Sequence, residues 1–261
     1  MILRGEVSSD VLGMHTGINV LTPNNFKESD PYRVVYLLHG LHGDQNSWLD
    51  LTMLPVFAND YNAVFVMPSV GRSFYSDMKY GQQFFTYITE ELPELCRKVF
   101  NISGRREDIA VMGCSMGGYG ALKCALSKPE QYGFCGAISA ACLYLKENLD
   151  GLRQDPGPWL KHGGPGAEAI YRDFIAIFGD GFQWKPEIEI TELAKKAETA
   201  PIRPKIYAAC GTEDSLCAEN HRFKADMEKR NFDFTWEEWP GIHDWYFFND
   251  ALKKSMEAWY A

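Results

Sequence analysis

Short apolar runs recur along the chain at 34–38 (VVYLL), 63–67 (AVFVM), 109–113 (IAVMG), 134–139 (FCGAIS) and 205–210 (KIYAAC). Their brevity and their lack of apolar/polar alternation fit strands covered on both faces. Near 80–100, 116–127 and 215–230 the apolar positions repeat at helical spacing, and a last helical stretch near 245–260 follows a strand at 233–238. Strands alternating with helices predict a mostly parallel central sheet with helices on both faces. Residues 1–8 and 15–22 precede the first crossover and alternate in polarity, as an antiparallel edge would.

Residues 143–200 break this rhythm. They follow a strand yet run for nearly sixty positions, with Gly151, Pro156, Gly157, Pro158, Gly163, Gly164, Pro165, Gly166, Gly179 and Gly181 set among aromatic residues. An ordinary connection is far shorter. An insertion of this kind suits a lid or pocket wall above the sheet, while a surface excursion packed on its own aromatics explains it nearly as well. Trp159, Phe174, Phe178 and Trp184 are candidates for an acyl or aromatic-ester pocket, with burial in the core as the competing use of such residues.

Composition narrows the class. At 261 residues, 46% hydrophobic and 23% charged, the chain is expected to form one domain over 1–261. A net charge of −9 repels phosphate backbones and anionic lipid, so nucleic acid and membrane surfaces are poor partners. The N-terminal Met1-Ile2-Leu3-Arg4-Gly5-Glu6-Val7 turns polar too early for a signal peptide, and no apolar run reaches the ~20 residues of a membrane span. The seven cysteines at 96, 114, 124, 135, 142, 210 and 217 form no CxxC pair and lie mostly in apolar stretches. Thiols of that kind point to a reducing, cytoplasmic setting and to no metal site.

The chemistry starts at Gly113-Cys114-Ser115-Met116-Gly117, a G-x-S-x-G pattern between a strand and a helix. A sharp turn there lifts the serine hydroxyl above the sheet edge and places it at a helix N-terminus. A phosphate-binding glycine turn is the rival, but neither of its motifs accompanies this one. Serine needs a base, and the base needs an orienting acid, in the chain order Ser, Asp or Glu, His. Of the later histidines, His162 lies in the insertion and His221 within a helix, which leaves His243 in the loop after the last strand. Asp214, at the end of the 205–210 strand through Gly211-Thr212-Glu213, is the expected acid ahead of Glu213 and Asp244. It could also cap the helix that begins near Ser215.

An oxyanion needs donors too. The Met116 N–H supplies one, and the Leu41 N–H in His39-Gly40-Leu41-His42-Gly43 is the expected second. His39 and His42 resemble metal ligands only superficially, since no carboxylate or cysteine cluster joins them, and shaping the loop is their expected task.

Four segments carry a family resemblance: Val35-Tyr36-Leu37-Leu38-His39-Gly40-Leu41-His42-Gly43 with Asn46-Ser47-Trp48; Gly113 to Leu122 (GCSMGGYGAL); Gly211-Thr212-Glu213-Asp214; and Gly241-Ile242-His243-Asp244-Trp245. With these the chain resembles the tributyrin esterase group of the esterase D family, relatives of S-formylglutathione hydrolases, feruloyl esterases and mycolyltransferases. The resemblance implies an α/β-hydrolase fold and a cofactor-independent serine carboxylesterase acting on short-chain acyl (acetyl, butyryl) or aromatic (feruloyl-type) esters through an acyl-enzyme. Small-molecule or saccharide-linked esters are the implied partners, and self-association into a homo-oligomer is left open. The formylglutathione branch usually has S-G followed by T-C where this chain has H-G-L-H-G, which weighs against that thioesterase alternative. A binding protein without chemistry is the reading from another class, and it should lack one of the four site elements that this chain retains.

Overall fold

The computed structural model describes residues 1–24, 31–162 and 166–261. Eight strands form one sheet: β1 (Ile2–Ser9), β2 (Met14–Leu21), β3 (Arg33–Leu38), β4 (Ala63–Pro68), β5 (Ile109–Cys114), β6 (Phe134–Ile138), β7 (Lys205–Gly211) and β8 (Phe234–Trp239). Their order across the sheet is β1-β2-β4-β3-β5-β6-β7-β8. The β1–β2 hairpin and the β2–β4 pair are antiparallel, and every pair from β4 to β8 is parallel. This is the α/β-hydrolase sheet, with the edge strands where the polarity alternation put them.

The apolar runs read as they do because both faces are covered. Val34, Tyr36, Leu38, Val64 and Val66 enter one core, and Val35, Leu37, Phe65 and Met67 enter the other. On the first face, α1 (Leu92–Val99) and α2 (Met116–Ser127) contribute Leu92, Cys96, Tyr119, Leu122 and Leu126. On the second, the C-terminal helix contributes Phe247, Phe248, Leu252, Met256 and Trp259. The outer strand β8 is half-exposed along its length.

The insertion is more helical than its glycines and prolines suggested. It contains α3 (Leu145–Gln154), α4 (Gly157–His162), α5 (Ala167–Phe178) and α6 (Ile190–Glu198). Its turn formers fall between helices: Gly166 caps α5 and Gly179, at φ +82°, ends it. Gly163, Gly164 and Pro165 lie outside the described residues, and His162 is the last residue of α4. Two further long helices follow the insertion, α7 (Cys217–Met227) and α8 (Trp245–Tyr260).

All seven cysteines are free thiols, five of them buried. Among the described residues no helix is long and apolar enough to cross a membrane, and no group of three His, Cys, Asp or Glu could hold a metal ion.

Candidate active site

The β5–α2 corner sets the geometry. Ser115 adopts φ +56° and ψ −120°, a conformation that L-residues hold only at a cost of about 1–3 kcal/mol. The neighbouring backbone imposes it: the Ser115 N–H donates to the Ile138 carbonyl at 2.9 Å, and the Ser115 carbonyl accepts from Gly118, Tyr119 and Ala141. The flanking glycines are steric necessities. A Cβ at Gly113 would lie 2.5 Å from the Gly117 carbonyl oxygen, and one at Gly117 would lie 2.3 Å from that of Leu38. The helix can therefore leave the strand at this angle only when both positions lack a side chain.

His243 lies in the loop between β8 and α8. Its Nδ1 is 2.8 Å from Asp214 Oδ2, and the Asp214 side chain is buried while the imidazole is partly exposed. Asp214 Oδ1 also accepts the Leu216 N–H at 2.7 Å, so one carboxylate serves both the ring and the turn into α7. Burial pushes the Asp214 carboxyl up, but the His243 hydrogen bond, the Leu216 N–H and the nearby imidazole outweigh it and hold it below the usual carboxylate range. The competitors are engaged elsewhere. Glu213 accepts the Gly241 N–H at 2.6 Å, and Asp244 caps α8 by accepting from the Phe247 N–H at 3.0 Å. His221, half-exposed on α7, pairs with Glu238 at 2.5 Å.

Two cavities meet at Ser115. One, of about 260 Å³, runs past His42, Leu51, Trp245 and Phe248. The other, of about 380 Å³, is mostly apolar and is lined by Phe74, Trp159, Ile170 and Leu216, with Glu219 and Asn148 also in its wall. Ser115, His243 and Leu41 line both, and Met116 lines the second. Met116 opens α2, so its N–H has no acceptor within the helix. Leu41 stands on a loop held from behind. His39 is buried, its Nδ1 donates to the Gly40 carbonyl at 2.8 Å, and its Nε2 accepts the Val70 N–H at 3.2 Å. Burial lowers the His39 pKa, which keeps that ring neutral. The indole of Trp48 donates to the Leu38 carbonyl at 3.0 Å, and the Tyr75 hydroxyl donates to the His39 carbonyl at 2.9 Å, fixing the start of the turn.

Of the four insertion aromatics expected at the pocket, only Trp159 lines a cavity that contains Ser115. Phe174 is fully buried, packed edge-to-face against Phe74 and Phe178 at 5.2 and 5.5 Å, so it backs the wall without lining the cavity. Phe178 borders a different cavity, and Trp184 lies in a surface groove with the Lys146 ammonium 5.6 Å from its ring. Phe174 and Phe178 depart from expectation because aromatic content marks an amphipathic helix without saying which side it turns to the site, and Trp184 lies in the irregular stretch after that helix. Phe74 and Ile170 were missed. Phe74 sits in an irregular loop at φ +47°, where no periodicity marks it.

Comparison with known proteins agrees with the fold. The Esterase family profile matches residues 9–258. An acetyl esterase of Caldicellulosiruptor saccharolyticus is 31% identical over 236 residues, covering 88% of this chain and 84% of that protein. Among solved structures, a substrate-bound fluorophosphonate-binding serine hydrolase of Staphylococcus aureus superposes with a TM-score of 0.85 at 26% identity, covering 100% of this chain and 98% of that one. An S-formylglutathione hydrolase from the same organism gives 0.82 at 26% identity, covering 100% and 99%. The chain belongs to the Esterase family and is a serine carboxylesterase.

Proposed function

We propose that Ser115, His243 and Asp214 form the catalytic triad and that the chain, acting as a single α/β-hydrolase domain, prefers esters of short acyl groups. The observation that carries this reading is the strained Ser115 sharing two cavities with His243, whose other ring nitrogen is tied to buried Asp214. With Nδ1 engaged by the carboxylate, Nε2 is the nitrogen left to take the serine proton.

Ser115 Oγ attacks the ester carbonyl as His243 Nε2 removes its proton. The Leu41 and Met116 N–H groups receive the oxyanion, and the protonated imidazole returns its proton to the departing alcohol. Water then enters by the same route and releases the acid. The apolar cavity beside Trp159 and Ile170 suits the acyl group, and its modest volume favours acetyl and butyryl over longer chains. The more polar cavity past His42 and Asp244 suits the alcohol. The free thiols support a reducing, cytoplasmic setting.

The test is a parallel rate profile on p-nitrophenyl acetate, p-nitrophenyl butyrate, methyl ferulate and S-formylglutathione for wild type and Ser115→Ala. The oxygen esters should be cleaved by wild type, with a loss on the order of 10⁵-fold or more in the variant and an unchanged circular dichroism spectrum. Cleavage of the thioester alone would overturn the substrate class, and a fully active Ser115→Ala would overturn the triad.

A further inference from the structure

A larger cavity, of about 670 Å³, lies outside the Ser115 site, between the loop at 76–85, the far end of α2 and the insertion. Its apolar floor is built from Phe85, Ile177, Phe178, Ile188 and Leu193. Lys79, Lys185 and Lys196 stand around it, exposed, and none has an ion-pair partner among the described residues. A fourth amine, Lys123, is only 3% exposed yet lines the same cavity. Fully buried lysines are rare unless a carboxylate pairs with them, and Lys123 has none among the described residues. Its Nζ donates instead to the Tyr75 carbonyl at 3.0 Å and to Ser76 Oγ at 2.8 Å, and burial lowers the amine to about 8.

Charge makes the cavity unusual. The chain as a whole carries 35 acidic and 26 basic residues, but this cavity has four amines against the carboxylates of Asp77 and Glu187. Asp77 is further occupied by the Thr86 N–H and hydroxyl, at 2.9 and 2.8 Å. A local reversal of sign over an apolar floor is complementary to an anion that carries a hydrocarbon group.

We propose that this cavity is a second binding site, for an organic anion with an apolar tail of about eight carbons, and that its occupancy is felt at the oxyanion loop. The connection is short. Ser76 lines this cavity while Phe74 lines the acyl cavity, so the segment 74–76 is a wall common to both. Phe74 and Tyr75 are both held at positive φ, +47° and +48°, and Lys123 holds the segment through the Tyr75 carbonyl. The Tyr75 hydroxyl in turn holds the His39 carbonyl, next to the loop that carries Leu41. An anion that draws the Lys123 ammonium toward itself shifts this wall.

Binding is tested by calorimetry with octanoate, octyl phosphate and uncharged octanamide on Ser115→Ala protein, so that the readout is independent of ester turnover. Octanoate or octyl phosphate should bind, the tighter of the two naming the head group, and octanamide should bind at least tenfold more weakly. Lys185→Gln/Lys196→Gln should weaken the anion at least tenfold, while Ile170→Trp, which fills part of the acyl cavity, should leave it unchanged. Loss of binding in Ile170→Trp with no effect of the lysine pair would place the anion in the acyl cavity and overturn the proposal, as would equal binding of octanamide. In otherwise wild-type enzyme the saturating anion should change kcat on p-nitrophenyl acetate at least twofold, and Lys123→Met should abolish that change. A kcat indifferent to the bound anion would overturn the coupling.

Discussion

The β5–α2 corner and the insertion border the same cavity, but they are specified in opposite ways. At the corner, constraints are local and steric: Gly113 and Gly117 are fixed by carbonyl oxygens 2.3–2.5 Å from any Cβ, and the Ser115 dihedral angles follow. The insertion is held by scattered long-range pairs. Arg72 meets Asp173 at 2.7 Å, the Tyr119 hydroxyl donates to the Ile188 carbonyl, Glu219 accepts the Leu143 N–H, and the Lys79 and Tyr80 N–H groups donate to carbonyls at the end of α5. A corner built from backbone contacts tolerates no variation, while a wall built from replaceable pairs can change its lining and hence its substrate.

Substitutions at the corner and its loops should therefore be catastrophic for chemistry or folding, and those in the wall should be graded. After Ser115→Ala, the largest expected effect is on kcat for Asp214→Asn. An amide leaves the hydrogen-bond geometry intact but favours the wrong imidazole tautomer, so kcat should fall about 10⁴-fold with little change in KM. A loss below tenfold in stopped-flow acylation would remove Asp214 from the triad. Next is Gly117→Ala: its methyl would meet the Leu38 carbonyl at 2.3 Å, and about 4 kcal/mol of stability should be lost in urea unfolding. A fold that accepts the methyl with less than about 1 kcal/mol would show that the corner is softer than its geometry implies.

In the wall, Trp159→Ala should open the acyl cavity and raise the ratio of hexanoyl to acetyl ester turnover about thirtyfold, in keeping with a few methylenes' worth of pocket. An unchanged ratio would mean that the acyl group lies elsewhere, with the His42 cavity next to be tested.

The same contrast explains what the sequence disclosed. Buried strands have a signature because both faces are apolar, so β3 to β7 stand out, and the corner is legible because its steric rule is written in adjacent letters. His243 and Asp214 could be reached by elimination, since chain order and loop position leave few candidates. The insertion resisted because its helices are short and broken by turn residues, and because a helix such as α5 turns Phe174 into the core and Phe178 toward another cavity while Ile170 lines the cavity at Ser115. Phe74 was hidden for a different reason. Its loop is held by Lys123, distant in the sequence, through the Tyr75 carbonyl, which leaves no local pattern to read.

The smallest of the expected effects probes the corner from behind, through pH. His39 must stay neutral: its Nδ1–H donates to Gly40, and a proton on Nε2 would face the Val70 N–H. Its folded-state pKa is lowered by burial, so below the ordinary value of about 6.5 the unfolded chain takes up a proton that the folded chain refuses. Stability from this residue is therefore complete above about pH 6.5 and declines as pH falls, by up to about 1.4 kcal/mol per pH unit. Urea unfolding at pH 7.5, 6.5 and 5.5 should show wild type losing more stability than His39→Gln across that span, since glutamine can retain a donor and an acceptor but cannot titrate. Equal slopes would mean that the loop opens to let His39 protonate in the folded state. The loop that carries Leu41 would then belong with the replaceable wall, and the corner's rigidity would end at Gly40.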